Sequence, residues 1–158
     1  MTLKDITLPT EGIDWQRVLQ HWAWLLADRL EFNVWILNRF GDLFVRLPDG
    51  SIWMLCTGSG TFRMAAPSKG AFAEMVEGED RLESWFMPSL IEELEAAGRT
   101  LGERQCYGFT VPPGFEEGKY ESGNVKVVDI EAHFIATGDL WGRLRDVPDG
   151  TGVRLEME

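Results

Sequence analysis

Positive charge is scarce in this chain. Fifteen Lys and Arg face 26 Asp and Glu, a formal net charge of −11 over 158 residues. Nucleic acid and anionic membrane surfaces both call for basic patches, so neither is expected as a partner. No run of eighteen apolar residues occurs, and the N-terminus has no charged–apolar–small leader. The expectation is a cytoplasmic protein with neither a membrane span nor a signal peptide. Cysteine is equally sparse. Cys56 and Cys106 stand fifty residues apart, which suits reduced thiols better than a staple, with a disulfide between them as the alternative.

Catalytic and metal chemistry is thin as well. The two histidines, His21 and His133, belong to no HExxH, and no CxxC is present. No metal site and no cofactor are therefore expected. Gly58-Ser59-Gly60 has neither the Lys nor the helix that a phosphate loop needs, and reads as a hairpin turn. A hydrolase built on a Cys106–His133 pair, or on some pair among the 26 acids, is the remote alternative, because neither residue carries a local signature. The chain is expected not to be an enzyme.

What the chain does have is a dense β segment from Phe32 to Met64. Runs of Val, Ile, Leu, Phe and Trp alternate with breaks at Phe40-Gly41-Asp42, Pro48-Asp49-Gly50 and Thr57-Gly58-Ser59-Gly60. This predicts a four-stranded antiparallel meander. A two-residue turn at Asp49-Gly50 pairs Arg46 with Trp53 and Val45 with Met54. Leu43, Val45, Leu47, Ile52, Met54 and Cys56 then share one face; Phe44, Arg46, Trp53, Leu55, Phe62 and Met64 share the other. Neither face is polar, so the sheet is either covered on both sides or offers one side to a partner.

Apolar stripes for covering it lie on either side in the sequence. Trp15, Val18, Leu19, Trp22, Leu25 and Leu26 recur at helical spacing, predicting one helix from about Asp14 to Arg29 with Thr10 or Asp14 as cap. Trp24 falls opposite Trp15 on that helix, and is either buried by another element or an exposed interface anchor. Further helices are predicted over about 68–76, 80–87 and 88–98, the last restarted by Pro88 and ended by Gly98. A strand through Cys106, Tyr107 and Phe109 follows, then a turn-rich loop from Val111 to Asn124. A strand at Val125–Val128 comes next, then a helix through Ile130, Phe134, Trp141 and Leu144 with a kink or fresh cap at Gly138-Asp139. A turn at Pro148-Asp149-Gly150 and a strand over Gly152–Met157 close the chain.

The reading is one α+β domain over 1–158: an antiparallel sheet built on a four-stranded meander and packed with about four to five helices. Its parts are a helical segment (1–30), the meander (31–65), acidic helices (68–98) and a strand, loop, helix and strand (105–157). The stripes suffice to cover both sheet faces, so the meander reads as scaffold and Trp53 is expected to be largely buried.

Charge is uneven along the chain. From Glu74 to Glu95 eight acids accompany one base, Arg81, whereas from Glu31 to Ala73 three acids meet four bases. The acid block is either a solvated helical face or a docking surface for a basic partner. On the second reading the contact residues are Glu77, Glu79, Asp80 and Glu83, joined by Glu116, Glu117 and Tyr120 from the loop and by Trp24.

Several motifs in order carry a family resemblance: Asn38-Arg39-Phe40-Gly41-Asp42-Leu43-Phe44, Pro48-Asp49-Gly50 and Trp53-Met54-Leu55 come first. Gln105-Cys106-Tyr107-Gly108-Phe109, Pro112-Pro113, Gly118, Tyr120, Asn124 and Asp146-Val147-Pro148-Asp149-Gly150 follow. Over about Phe32 to Leu155 this resembles the C-terminal domain of bacterial type VI secretion DNase immunity proteins. Where members carry Gly-Gly-x-Tyr, this chain has Glu117-Gly118-Lys119-Tyr120. The resemblance implies a cytosolic α+β protein that binds and occludes a toxin, such as a secreted nuclease with a basic surface, and it brings no catalytic or metal residue. The alternative is a regulatory or scaffold module on the same fold, acting through the apolar sheet face or Trp24.

Overall fold

The computed structural model describes residues 2–27 and 31–147. In chain order the elements are β1 (Thr7–Leu8), α1 (Trp15–Leu19), α2 (Ala23–Leu26), β2 (Asn33–Asn38), β3 (Leu43–Arg46), β4 (Ile52–Cys56) and β5 (Thr61–Ala66). Then come α3 (Lys69–Glu77), α4 (Glu79–Phe86), α5 (Pro88–Ala96), β6 (Gln105–Phe109), β7 (Val125–Asp129) and α6 (Ile130–Leu144). The end of the expected first helix at Arg29, the Pro148-Asp149-Gly150 turn and the expected last strand lie outside the described residues.

Two turns of the meander are built alike. In the first, Asn38 N donates to Asp42 O (3.0 Å) and Gly41 N to Asn38 O (3.3 Å); in the second, Leu47 N donates to Ser51 O and Gly50 N to Leu47 O, both at 2.9 Å. Each is a three-residue loop ended by a left-handed glycine, Gly41 at φ 74° and Gly50 at φ 90°. The extra residue corrects the expected register. Arg46 pairs with Ile52 and Val45 with Trp53, not Arg46 with Trp53. Leu43, Val45, Trp53 and Leu55 therefore share a face, and Phe44 and Met54 take the other, because a one-residue slip exchanges faces.

The sheet has five strands in the order β1-β2-β3-β4-β5. The fifth comes from the N-terminal segment, where Thr7 and Leu8 pair with Asn38 and Leu37. A separate antiparallel pair, β6-β7, adjoins it, with Tyr107 N donating to Arg39 O at 2.7 Å.

Both faces of the large sheet are packed. Phe44 and Ile52 meet Phe72, Trp85, Phe86, Ile91 and Leu94 from α3–α5, with Phe44 stacked on Phe86 at 5.4 Å and edge-on to Phe72 at 5.2 Å. On the opposite side Leu37, Leu43, Val45 and Leu55 meet Val18, Trp22 and Leu26, together with Ile130 and Phe134 of α6. The expected cover on two sides is thus present. Trp53 is half-buried, its indole N–H donated to Ser51 Oγ at 2.9 Å and its ring 5.2 Å from Phe62.

The first helix is not continuous. Asp14 caps α1 through Arg17 N, a 3-10 turn at Gln20–Trp22 interrupts the helix, and Ala27 at φ 33° ends α2. The indoles at the break are anchored to α6: Trp22 Nε1 donates to Phe134 O at 2.9 Å, and Trp24 Nε1 reaches both His21 O and Gly138 O at 3.1 Å. α6 runs through Gly138 without interruption. The glycine is there for close approach, since a Cβ would sit 2.7 Å from the His21 carbonyl oxygen and 2.9 Å from Trp22 Nε1.

A buried polar knot ties the meander tips to α6. Asp42 accepts from Asn38 Nδ2 (3.1 Å), Thr57 N (2.9 Å) and Thr57 Oγ1 (3.1 Å), and Thr57 Oγ1 lies 2.8 Å from His133 Nε2 and 2.9 Å from Gly41 O. Because carbonyl and carboxylate only accept, the knot is satisfied by a neutral His133 with its proton on Nε2, donating to the hydroxyl. Burial pushes His133 down to about 4 and pushes the Asp42 carboxyl above the usual carboxylate range.

Two outcomes are expected. Gly138→Ala gains about 1 kcal/mol of helix propensity, but its Cβ meets backbone that cannot swing away, so a net loss of about 1–3 kcal/mol is expected in urea unfolding. An unchanged or raised midpoint would show that α6 and the His21 carbonyl separate freely. For His133, the unfolded chain binds the extra proton between pH 6.5 and about 4 and the folded chain does not. Stability from this group is therefore complete above pH 6.5 and falls by about 3 kcal/mol as pH drops to about 4. Asp42 has the opposite sign, losing stability as pH rises through its raised folded value. Subtracting the pH–stability curve of His133→Gln from that of the wild type isolates the histidine. A difference curve flat from pH 7 to 4 would refute its burial as a neutral ring.

Candidate partner-binding surface

Met87 ends α4 and stands before Pro88, the first residue of α5. The proline ring disfavours the right-handed helical region for the residue before it, and Met87 takes the left-handed one at φ 51° and ψ 52°. A non-glycine residue there costs about 1–2 kcal/mol. The elbow is secured by Met87 N donating to Glu83 O (3.0 Å) and Ile91 N donating to Met87 O (3.1 Å). Leu90, Ile91 and Leu94 anchor α5 in the core, so the helices diverge from a fixed corner.

A groove of about 490 Å³ opens along this corner. Glu83 and Ser84 enter from α4, Ser89, Leu90 and Glu93 from α5, Met87 from the elbow, and Tyr120 from the loop between β6 and β7. That loop is pinned. Asn124 bridges it by donating to Val111 O (2.8 Å) and Lys119 O (2.9 Å) and accepting from Val111 N (2.9 Å). Arg99 Nη1 donates to Ser122 O at 2.7 Å, and Phe115 stacks on Trp141 at 5.0 Å. Tyr120 sits edge-on to Phe109 at 5.3 Å and is 55% exposed, one of the few large apolar side chains at the surface. Desolvation raises its phenol to about 12, so it stays protonated at neutral pH.

The two carboxylates of the groove are held. Glu83 Oε1 accepts from Ser89 N (3.0 Å) and Ser89 Oγ (2.5 Å), and Glu93 Oε1 accepts from Ser122 Oγ (2.9 Å). Neither joins an ion pair among the described residues. Two arginines are engaged by other groups: Arg39 Nη1 binds Glu95 at 2.8 Å, and Arg81 lies 4.9 Å over the Trp85 ring. The arrangement offers fixed negative charge beside an apolar floor and an aromatic wall.

Of the residues expected to bind a partner, Glu83 and Tyr120 come together in this groove. Glu79 and Asp80 lie one turn before Glu83 on α4 and are exposed, as is Glu77 at the end of α3. Glu116 and Glu117 are exposed on the pinned loop. Trp24 is half-buried away from the groove, stacked on Trp22 at 5.8 Å. Glu93, Met87 and Leu90 were not picked out as contact residues. Glu93 falls within the acid block, and Met87 and Leu90 fall within the helices expected over 80–87 and 88–98.

The remaining chemistry is closed off. Cys106 is buried in the core with its thiol pushed well up by burial, and Cys56 is raised to about 12, also chiefly by burial. Both are free thiols, and His133 bonds Thr57 instead of Cys106. Among the described residues no group of three His, Cys, Asp or Glu side chains could hold a metal, and no helix is long and apolar enough to cross a membrane.

No curated protein matches the chain. Residues 68–141, from the cap of α3 into α6, match the family described as T6SS immunity protein Tdi1, C-terminal. The match is narrower than the resemblance carried by the motifs, leaving the meander outside, but it contains every residue that lines the groove. It supports an immunity-type, non-enzymatic function with a protein partner. Over residues 68–141, just under half of its length, the chain is thus similar to the type VI secretion immunity family that its motifs resemble.

Proposed function

We propose that this protein binds and occludes a cognate toxin in the cytoplasm, and that the toxin presents a basic surface, as a nuclease does where it grips DNA. The observation that carries the reading is the groove between α4 and α5, which holds unpaired, fixed carboxylates inside the family-matched segment. The exposed acids of α3–α5 extend the field around it. Long-range attraction accelerates encounter, while affinity comes from the desolvated centre of the contact. In this reading Tyr120, Met87 and Leu90 supply that centre, and Glu77, Glu79, Asp80, Glu116 and Glu117 steer from the rim. Occlusion requires no chemistry from the inhibitor, in keeping with thiols that desolvation keeps protonated.

Co-expression with the product of an adjacent toxin-like gene is the direct test. A stable complex on pull-down and restored growth of the host are expected. The association rate should fall by about tenfold or more from low to physiological salt as the acidic field is screened. Absence of both binding and protection would refute the immunity role. A salt-independent association rate would refute the electrostatic part of it.

A further inference from the structure

Building on the immunity reading, we propose that the α4–α5 groove receives an arginine side chain of the partner protein. The groove presents acceptors from two walls, Glu83 on α4 and Glu93 on α5. In each, Oε1 is the atom held by a serine, and the other carboxylate oxygen has no hydrogen bond to the described residues. Such preset oxygens suit a donor group that is broad and forked, because two parallel N–H···O bonds can form without reordering the acceptors. The chain does not satisfy these oxygens itself: among the described residues only the two serines donate to Glu83 and Glu93, and neither acid joins an ion pair.

The rest of the lining selects among cations. Met87, Leu90 and the half-exposed Tyr120 ring give an apolar and aromatic surface beside the carboxylates. A guanidinium can lie flat on such a ring while its stem packs on the aliphatic floor, whereas an ammonium is a compact, strongly hydrated charge that gives up more on leaving water. A bare divalent ion fits poorly, because no set of three candidate ligands converges among the described residues. The left-handed Met87 elbow and the pinned loop hold the walls in place, so the pocket exists before the partner arrives.

The test uses capped arginine (N-acetyl-arginine amide) titrated into the ¹⁵N-labelled full-length chain, with capped lysine alongside. Saturable shifts centred on the amides of Glu83, Ser89, Glu93 and Tyr120 are expected, with arginine bound about threefold or more tighter than lysine. The Glu83→Gln/Glu93→Gln double variant should weaken arginine binding by about tenfold, and Glu11→Gln/Glu103→Gln, at exposed acids outside the groove, should leave it unchanged. Glutamine keeps an acceptor for each serine, so the double variant retains its local bonds, and a thermal melt checks that. Tyr120→Ser is the second probe and should erase the preference for arginine over lysine. Absent or non-saturating shifts, undiminished binding in the double variant, or equal binding of lysine would overturn the proposal. These readouts need no toxin, so they fail separately from the co-expression experiment: loss of protection there refutes the immunity role, and loss of shifts here refutes the arginine pocket.

Discussion

A carboxylate buried away from water must find donors or give up its charge, and Asp42 does this at the point where three parts of the chain meet. Its donors are Asn38 from the first meander turn and the backbone N–H and hydroxyl of Thr57 from the third. Thr57 in turn contacts His133 on α6, 76 residues further along the chain. Asn38 also donates to Trp85 O at the end of α4, at 2.9 Å. One polar cluster thereby registers the sheet against α6 on one side and the acidic helices on the other. Apolar packing drives these layers together but does not choose their relative position, whereas directional bonds in a low-dielectric interior do. Moving the sheet by one residue against the helices would break the Asn38–Trp85 and Thr57–His133 bonds, at about 1–3 kcal/mol for each buried group left unpaired.

That constraint explains why the element types were legible and the register was not. Asp14, Pro88 and Gly98 mark helix boundaries by local chemistry, and each acts where expected. Alternation identified the strands, but Leu43, Phe44 and Val45 are all apolar and all buried. A pattern without polar positions cannot say which residue faces which layer. The decision fell to Gly50, whose positive φ suits a two-residue turn and a three-residue turn alike. The short strand β1 was hidden for a related reason: two residues give no periodicity, and pairing to Leu37 and Asn38 is a tertiary event.

The first helix shows the converse case, in which a correct stripe predicted the wrong continuity. Trp15, Val18, Leu19, Trp22 and Leu26 do face one layer. The break between α1 and α2 arises because Trp22 and Trp24 send their indole N–H groups to carbonyls of α6. Those bonds depend on the close approach at Gly138, which read in the sequence as a kink or a cap. Long-range hydrogen bonding overrode local propensity at this break.

The proposed binding surface was half legible for the same physical reasons. Counting charge found the α3–α5 block, and turn chemistry found the loop that carries Tyr120, but nothing local says that the two adjoin. Their meeting is set by the left-handed Met87, by Arg99 gripping the loop at Ser122 and Val125, and by the core anchoring of α5. This bears on how such a protein can be selective. Net charge of −11 attracts any basic surface and falls away with salt, so it cannot distinguish one cationic partner from another. In the proposed groove, Glu83 and Glu93, each held by a serine beside an aromatic wall, would discriminate, because the geometry they demand is met by few side chains. In the proposed reading, the strained elbow at Met87 and the pinned loop are what convert an unspecific field into a shaped site.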